Sequence, residues 1–301
     1  MQPLRTLLAA LTTFTALTTF AALTACSAPA KPAGPAKPKV PASYYLALGD
    51  SLAQGVQPDA AGRSVPTSSG YANQLYALLH RNRPSLRLAR LGCPGETTKT
   101  MLHGGICRYA GGSQIAAADA FLRAHRGHVL LVTLDIGAND PQDCVSAPGL
   151  AMISSCITSM PDAATNLGTI LADLRAAAGP GTRLAGMSYY LPELAQWRNG
   201  LLGEEVARLS ARVASDFNDL LLKTYAKADV PVANVFGAFD TTNFGAVQAV
   251  PGAGPLPRNV ALICRWTWAC APPPRGPNQH ADQAGYAVIA SAFLRACGLS
   301  A

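Results

Sequence analysis

The sequence predicts an α/β/α sandwich around a mostly parallel, five-stranded sheet, and three observations point there. Apolar runs of strand length alternate with helix-patterned stretches from residue 44 to residue 297. Strand alternating with helix calls for a parallel sheet covered by helices on both faces. Residues 43–301 are long enough for one large domain with a full core, and no internal repeat or second linker divides them.

The elements follow in order. The first strand is YYLALG, 44–49, and the helical pattern YANQLYALLHR, 71–81, comes after it. The second strand is LRLARLG, 86–92. SQIAAADAFLRAH, 113–125, reads as a helix ahead of the third strand, VLLVTLDIG, 129–137. A helix over 162–179 opens after Pro161 and closes at Gly179, residue types that punctuate helix ends. RLAGMSYY, 183–190, is the fourth strand. Across 203–228, Val206, Leu209, Val213, Phe217, Leu220 and Tyr225 recur at mostly three- and four-residue spacing, one face of a long helix. VPVANVF, 230–236, is the fifth strand, and a last helix over 282–297 begins at Asp282, a good N-cap type.

The N-terminus has a different character. Arg5 precedes an uncharged apolar stretch reaching Ala25, the layout of an export signal rather than of a fold element. LTAC, Leu23–Cys26, resembles the lipobox of bacterial lipoproteins, which implies lipidation of Cys26 and export to the extracytoplasmic face of the cell membrane. A plain signal cut near Ala28 or Ala30, giving a secreted protein, is the alternative. Three segments result: a signal peptide over 1–25, a Pro/Ala/Lys linker over 26–42 that cannot bury a core, and a domain over 43–301. Arg5, Lys31, Lys37 and Lys39 are unopposed by any acid before residue 40, so the formal charge of +7 falls to +3 for the remainder. With no basic run in the domain a nucleic-acid partner is excluded, whereas lysines beside a lipid favour an anionic membrane surface.

Of eight cysteines, Cys26 is set aside and six form close pairs: Cys93 with Cys107, Cys144 with Cys156, Cys264 with Cys270. Exported chains meet oxidising conditions, so these read as local disulfides. A zinc site is disfavoured, since there is no CxxC and no histidine stands at ligand spacing. Cys297 is left as a buried free thiol ending the last helix.

Open parallel sheets place their sites beyond the carboxyl ends of the strands. Ser51 follows the first strand there in GDSL, 49–52; CPGET, 93–97, follows the second; GAND, 137–140, follows the third; and HADQAGYAVIA, with His280, opens the last helix. Taken in this order, the blocks resemble the SGNH hydrolases, also called the GDSL esterase/lipase family, over about residues 44–294. The cysteine pairs and LVTLDIGAND look most like the secreted actinobacterial esterases and lipases of that family.

The resemblance implies an SGNH (flavodoxin-like) sandwich and a serine esterase or lipase; because nucleophile, base and oxyanion donors would all come from the protein, no metal or cofactor is called for, and a monomer is expected. Ser51 would be the nucleophile and His280 its base. Ser51 N–H, Gly95 N–H and the Asn139 amide would form the oxyanion hole. The substrate would be a lipid or small acyl ester. A carbohydrate acetyl esterase is the alternative within enzymes, and a binding lipoprotein with lapsed catalysis is the alternative outside them. One block departs from the family pattern: the aspartate expected three residues before the histidine is Pro277. A backbone carbonyl from Pro277 would then orient the imidazole, with Asn278 and Asp282 as alternatives. Asp50 and Asp140 are expected to serve turns. Trp197, Trp266 and Trp268 with Tyr189 and Tyr190 are candidates to line an acyl pocket, with packing the more common use of aromatics near strand ends, and His80, His103, His125 and His128 receive no chemistry.

Overall fold

The strand-length apolar runs pair into one sheet whose centre is buried on both faces. The computed structural model describes residues 43–140, 150–250 and 254–299, and only the backbone course over 150–159. The expected signal, linker and Cys26 therefore lie outside the described residues, as does the Cys144–Cys156 pair.

In chain order the strands are β1 Ser43–Gly49, β2 Gln57–Pro58, β3 Ser64–Val65, β4 Leu86–Arg90, β5 Val129–Asp135, β6 Arg183–Met187, β7 Val232–Ala233, β8 Val247–Val250 and β9 Gly254–Pro257. The helices are α1 Tyr71–Arg81, α2 Thr98–His103, α3 Gln114–Ala124, α4 Leu150–Ala178, α5 Gly200–Lys227, α6 Val235–Ala238, α7 Arg258–Trp266 and α8 Gln283–Ala296, with 3₁₀ turns at Pro192–Asn199 and Trp268–Cys270. The main sheet runs β4-β1-β5-β6-β7, every pair parallel. Helices α1 and α8 pack together on one face, while α2, α3, α4 and α5 form the other layer. This is the expected three-layer sandwich.

Because β1 and β5 are central, Tyr45, Leu46, Ala47, Leu48, Leu131, Val132 and Leu134 are all buried, which is why these strands read as unbroken apolar runs. Gly49 stands opposite Asp135 at the carboxyl ends. Its φ is +129°, and a Cβ there would lie 1.8 Å from the Asp135 carbonyl oxygen, so only glycine lets β1 turn into the next segment.

Several expectations are corrected. The fifth strand shrinks to Val232–Ala233: Pro231 has no N–H to give the ladder at its start, and Asn234 caps a helix over Val235–Ala238 at its end. Helix α4 begins at Leu150 and runs through Pro161. The buried stripe of α5 is Gly203, Ala207, Ala211, Phe217, Asn218, Leu221 and Tyr225, while Leu209 is exposed. Small residues win that face because the preceding 3₁₀ turn lies close: a Cβ at residue 203 would meet the Gln196 carbonyl at 2.0 Å. Helices α2, α6 and α7 and both short hairpins are additions; α2, α6 and the hairpin strands are too brief for periodicity to show, and the nine-residue α7 is buried over five consecutive positions, which masks its period.

Cys93–Cys107 and Cys264–Cys270 are disulfides with Cα separations of 6.0 and 4.9 Å, and Cys297 is a buried free thiol. No helix among the described residues is long and apolar enough to cross a membrane.

Candidate active site

Ser51 sits one residue past the bend that ends β1. Its neighbours' amides are held by two carboxyl groups. Asp50 N–H donates to Asp135 Oδ2 (3.2 Å) and to the Asp135 carbonyl (3.0 Å), Ala53 N–H to Asp135 Oδ2 (3.1 Å), and Leu52 N–H to Asp50 Oδ1 (2.8 Å). The amides at 50, 52 and 53 are thus occupied, while Ser51 N–H has no acceptor among the described residues. Tyr71 O–H donates to the other oxygen of Asp135, and Tyr189 O–H lies 3.5 Å from Asp50 Oδ2. Both aspartates are buried. Desolvation pushes the Asp50 carboxyl up to about 6. Desolvation, and then repulsion from Asp50, holds Asp135 well above the carboxylate range.

The loop after β4 is tied to the same strand end: Cys93 N–H donates to the Gly49 carbonyl (2.9 Å), and the Cys93–Cys107 disulfide anchors it. Gly95 has φ +84°, and a Cβ added there would meet nothing within 4 Å. Thr97 caps α2 with a reciprocal capping box, and Asp140 accepts from both Thr98 N–H (2.9 Å) and Thr98 Oγ1, joining the GAND turn to this loop. Asn139, buried beside it, donates from Nδ2 to the Glu96 carbonyl at 2.9 Å, which fixes the plane of its amide.

His280 comes from the segment before α8, whose N-cap is Asp282 (Oδ1 accepting Gly285 N–H at 2.8 Å). Its Nε2 lies 3.0 Å from Ser51 Oγ. Its Nδ1 lies 2.8 Å from Asn278 Oδ1, and that same oxygen accepts the His280 backbone N–H at 3.0 Å. A backbone N–H can only donate, so the atom facing the ring is the amide oxygen and Nδ1 must carry the proton. Nε2 is therefore the lone-pair nitrogen, placed to accept from the Ser51 hydroxyl. This corrects the expected orienter: the Asn278 side chain, not the Pro277 carbonyl, meets the imidazole, because a side-chain carbonyl two residues back can reach both nitrogens at once. Asn278 is itself held by Ser64 Oγ (3.0 Å) and the Trp268 carbonyl (3.0 Å), and Tyr190 O–H donates to the Gln279 carbonyl (2.9 Å). Burial drives the imidazole down from 6.5 to about 4, with no carboxylate at Nδ1 to oppose it.

The remaining aromatics pack. Tyr190 stacks on Phe239, Trp266 meets Phe239 edge-on, and Trp197 stacks on Phe244. His125 lies against Tyr44 and Phe121, and His80 against Tyr76. Among the described residues no group of three or more His, Cys, Asp or Glu side chains is placed to hold a metal ion. Asp135 and Gln114 went unnoticed in the sequence. An acid at the end of an apolar strand, TLDIG, was a visible signal for the first; a glutamine one residue inside a helix gave none for the second.

The strand-end serine, the glycine loop, the asparagine turn and the histidine before the last helix thus meet at one rim of the sheet, the layout of an SGNH-type hydrolase. The chain belongs to the GDSL-like Lipase/Acylhydrolase family, which matches residues 47–288. No curated protein matches it by sequence. Among solved structures it is similar to an extracellular lipase from Streptomyces rimosus, at 17% identity and TM-score 0.53, covering 85% of this chain and 100% of that one. It is also similar to an acetylxylan esterase from Geobacillus stearothermophilus, at 15% identity and TM-score 0.54, covering 86% and 96%. At such identities the likeness is one of fold.

Proposed function

We propose that this protein is an extracytoplasmic serine ester hydrolase that cleaves carboxylic esters through an acyl-enzyme. The observation that carries the reading is the 3.0 Å contact between Ser51 Oγ and a His280 Nε2 whose other nitrogen is held by Asn278. Ser51 Oγ attacks the ester carbonyl as Nε2 takes its proton. The tetrahedral oxyanion is received by Ser51 N–H, Gly95 N–H and the Asn139 amide. His280 then returns the proton to the leaving alcohol. A water, deprotonated the same way, attacks the acyl carbonyl and releases Ser51 with the carboxylic acid product. Asn278 Oδ1 accepts from Nδ1–H throughout, keeping the ring plane fixed while the imidazole gains and loses its proton.

The preferred substrate is an acyl ester of a lipid or small alcohol. An acetylated carbohydrate is the second reading. A panel of p-nitrophenyl esters from acetyl to palmitoyl, run beside acetylated sugars, separates them. A fluorophosphonate probe should label the wild type and leave Ser51→Ala unlabelled; a folded wild type that resists labelling overturns the enzyme reading in favour of a binding protein. The protein is read as a monomer held at the membrane through a lipidated Cys26, and Cys26→Ala should release it into the medium.

A further inference from the structure

Gln114, the first residue of α3, is fully buried and makes three hydrogen bonds with its amide. Gly49 N–H donates to Oε1 (2.7 Å), and Nε2 donates to the Gly49 carbonyl (2.9 Å) and to Glu96 Oε2 (3.0 Å). The amide thus pairs with the end of β1 much as a neighbouring strand would, two residues before Ser51. Its third bond grips the residue after Gly95. Glu96 in turn holds Asn139 through its backbone carbonyl (2.9 Å), and its Oε1 has no hydrogen-bond partner, so Gln114 is the side-chain anchor of that carboxyl.

We propose that Gln114 is a positioning residue, its amide clamping the Ser51 turn to the glycine loop and, through Glu96, to Asn139, so that the three oxyanion donors keep their spacing. The inference rests on the esterase reading above. The physical ground is that these donors come from three separate segments of chain, and a misplacement of about 1 Å in such a constellation costs on the order of 100-fold in rate. The clamp touches no substrate; it acts on where Ser51, Gly95 and Asn139 stand.

The test compares Gln114→Leu, Gln114→Glu, the double change Gln114→Glu with Glu96→Gln, and Asn259→Leu, a fully buried amide bonded to the Thr241 carbonyl, outside the proposed machinery. Turnover of a p-nitrophenyl ester is expressed per fluorophosphonate-labelled site. Both single Gln114 changes should lower kcat by about 100-fold with KM within about twofold. Glutamate fails because an ionised carboxylate has no proton for Gly49 or Glu96. Restoring a donor at residue 96 should recover roughly tenfold. Asn259→Leu should lower Tm and leave kcat per site alone. Amide exchange in 47–52 and 93–98 should quicken together in Gln114→Leu and stay slow in Asn259→Leu. Wild-type kcat in Gln114→Leu, or a kcat loss in Asn259→Leu that tracks its Tm in the same way, overturns the proposal. If the wild type turns over no ester, the esterase reading falls, and the exchange measurement alone decides the clamp: coupled quickening upholds it, unchanged exchange sinks it.

Discussion

On the sheet side of Ser51 the chain is held by carboxyl groups and amides drawn from the core: Asp135 from β5, Asp50 from the turn itself, Gln114 from α3. On the loop side, His280 is held by neutral groups: the Asn278 oxygen at Nδ1 and the Tyr190 hydroxyl on the residue before it. The acidic groups of this site therefore lie beneath Ser51 rather than behind His280. A dipole at Nδ1 fixes the tautomer as well as a carboxylate does, but under the proposed mechanism it offsets less of the positive charge that would develop on the imidazole. More of the rate then rests on donors already in place where negative charge appears.

The largest effect should treat both sides as one unit. Ser51→Ala and His280→Ala should each lower kcat by on the order of a million-fold, and the double change should be no worse, because neither half works alone. Additive losses, measured on one p-nitrophenyl ester, would break the pairing.

Next, Asn139→Ala should cost about 100- to 1000-fold in kcat, the usual loss for one oxyanion donor. A loss below about tenfold would mean that the sheet side does not carry the rate.

The contrast is sharpened by giving the histidine the charge it lacks. Asn278→Asp keeps an oxygen at Nδ1 and adds a carboxylate, which favours the imidazolium. The acid limb of kcat/KM, expected near pH 4 in the wild type, should move up by about 1–3 pH units. An unmoved limb would show that His280 does not set it.

The smallest effect is on stability, and the two sides should pull in opposite directions. His280 has its folded value depressed to about 4 from 6.5, so its contribution is present above pH 6.5 and is lost as pH falls towards 4. Asp50 is raised from 3.8 to about 6, so its contribution is present below 3.8 and is lost as pH rises through 6. His280→Gln removes the first slope and leaves the second. Its Tm relative to wild type should therefore rise between pH 6.5 and 4, and a constant difference would place the imidazole in water.

Much of this was legible along the chain. The alternation of strands and helices, the four blocks and the two disulfides now seen follow from local patterns that survive folding. The short elements did not show, since a two-residue strand or a four-residue helix has no period to detect. The α5 face was misjudged because alanine carries little hydrophobic signal yet packs closest. The orienter differs for another reason: Pro277 is the residue standing where the motif has its aspartate, and sequence alone cannot rank its carbonyl above the Asn278 side chain, the alternative that the structure places at Nδ1.

By itself the sequence determined a parallel sheet of five strands and which segments end at its carboxyl rim, because periodicity and punctuation act over a few residues and are written in the side chains there. Only the tertiary structure decided which atoms face one another: the carboxyl pair under Ser51, and the reach of Gln114 to Gly49 and Glu96. Those are hydrogen bonds between residues as much as 85 positions apart, set by register and close packing. No local pattern encodes a direction across that distance.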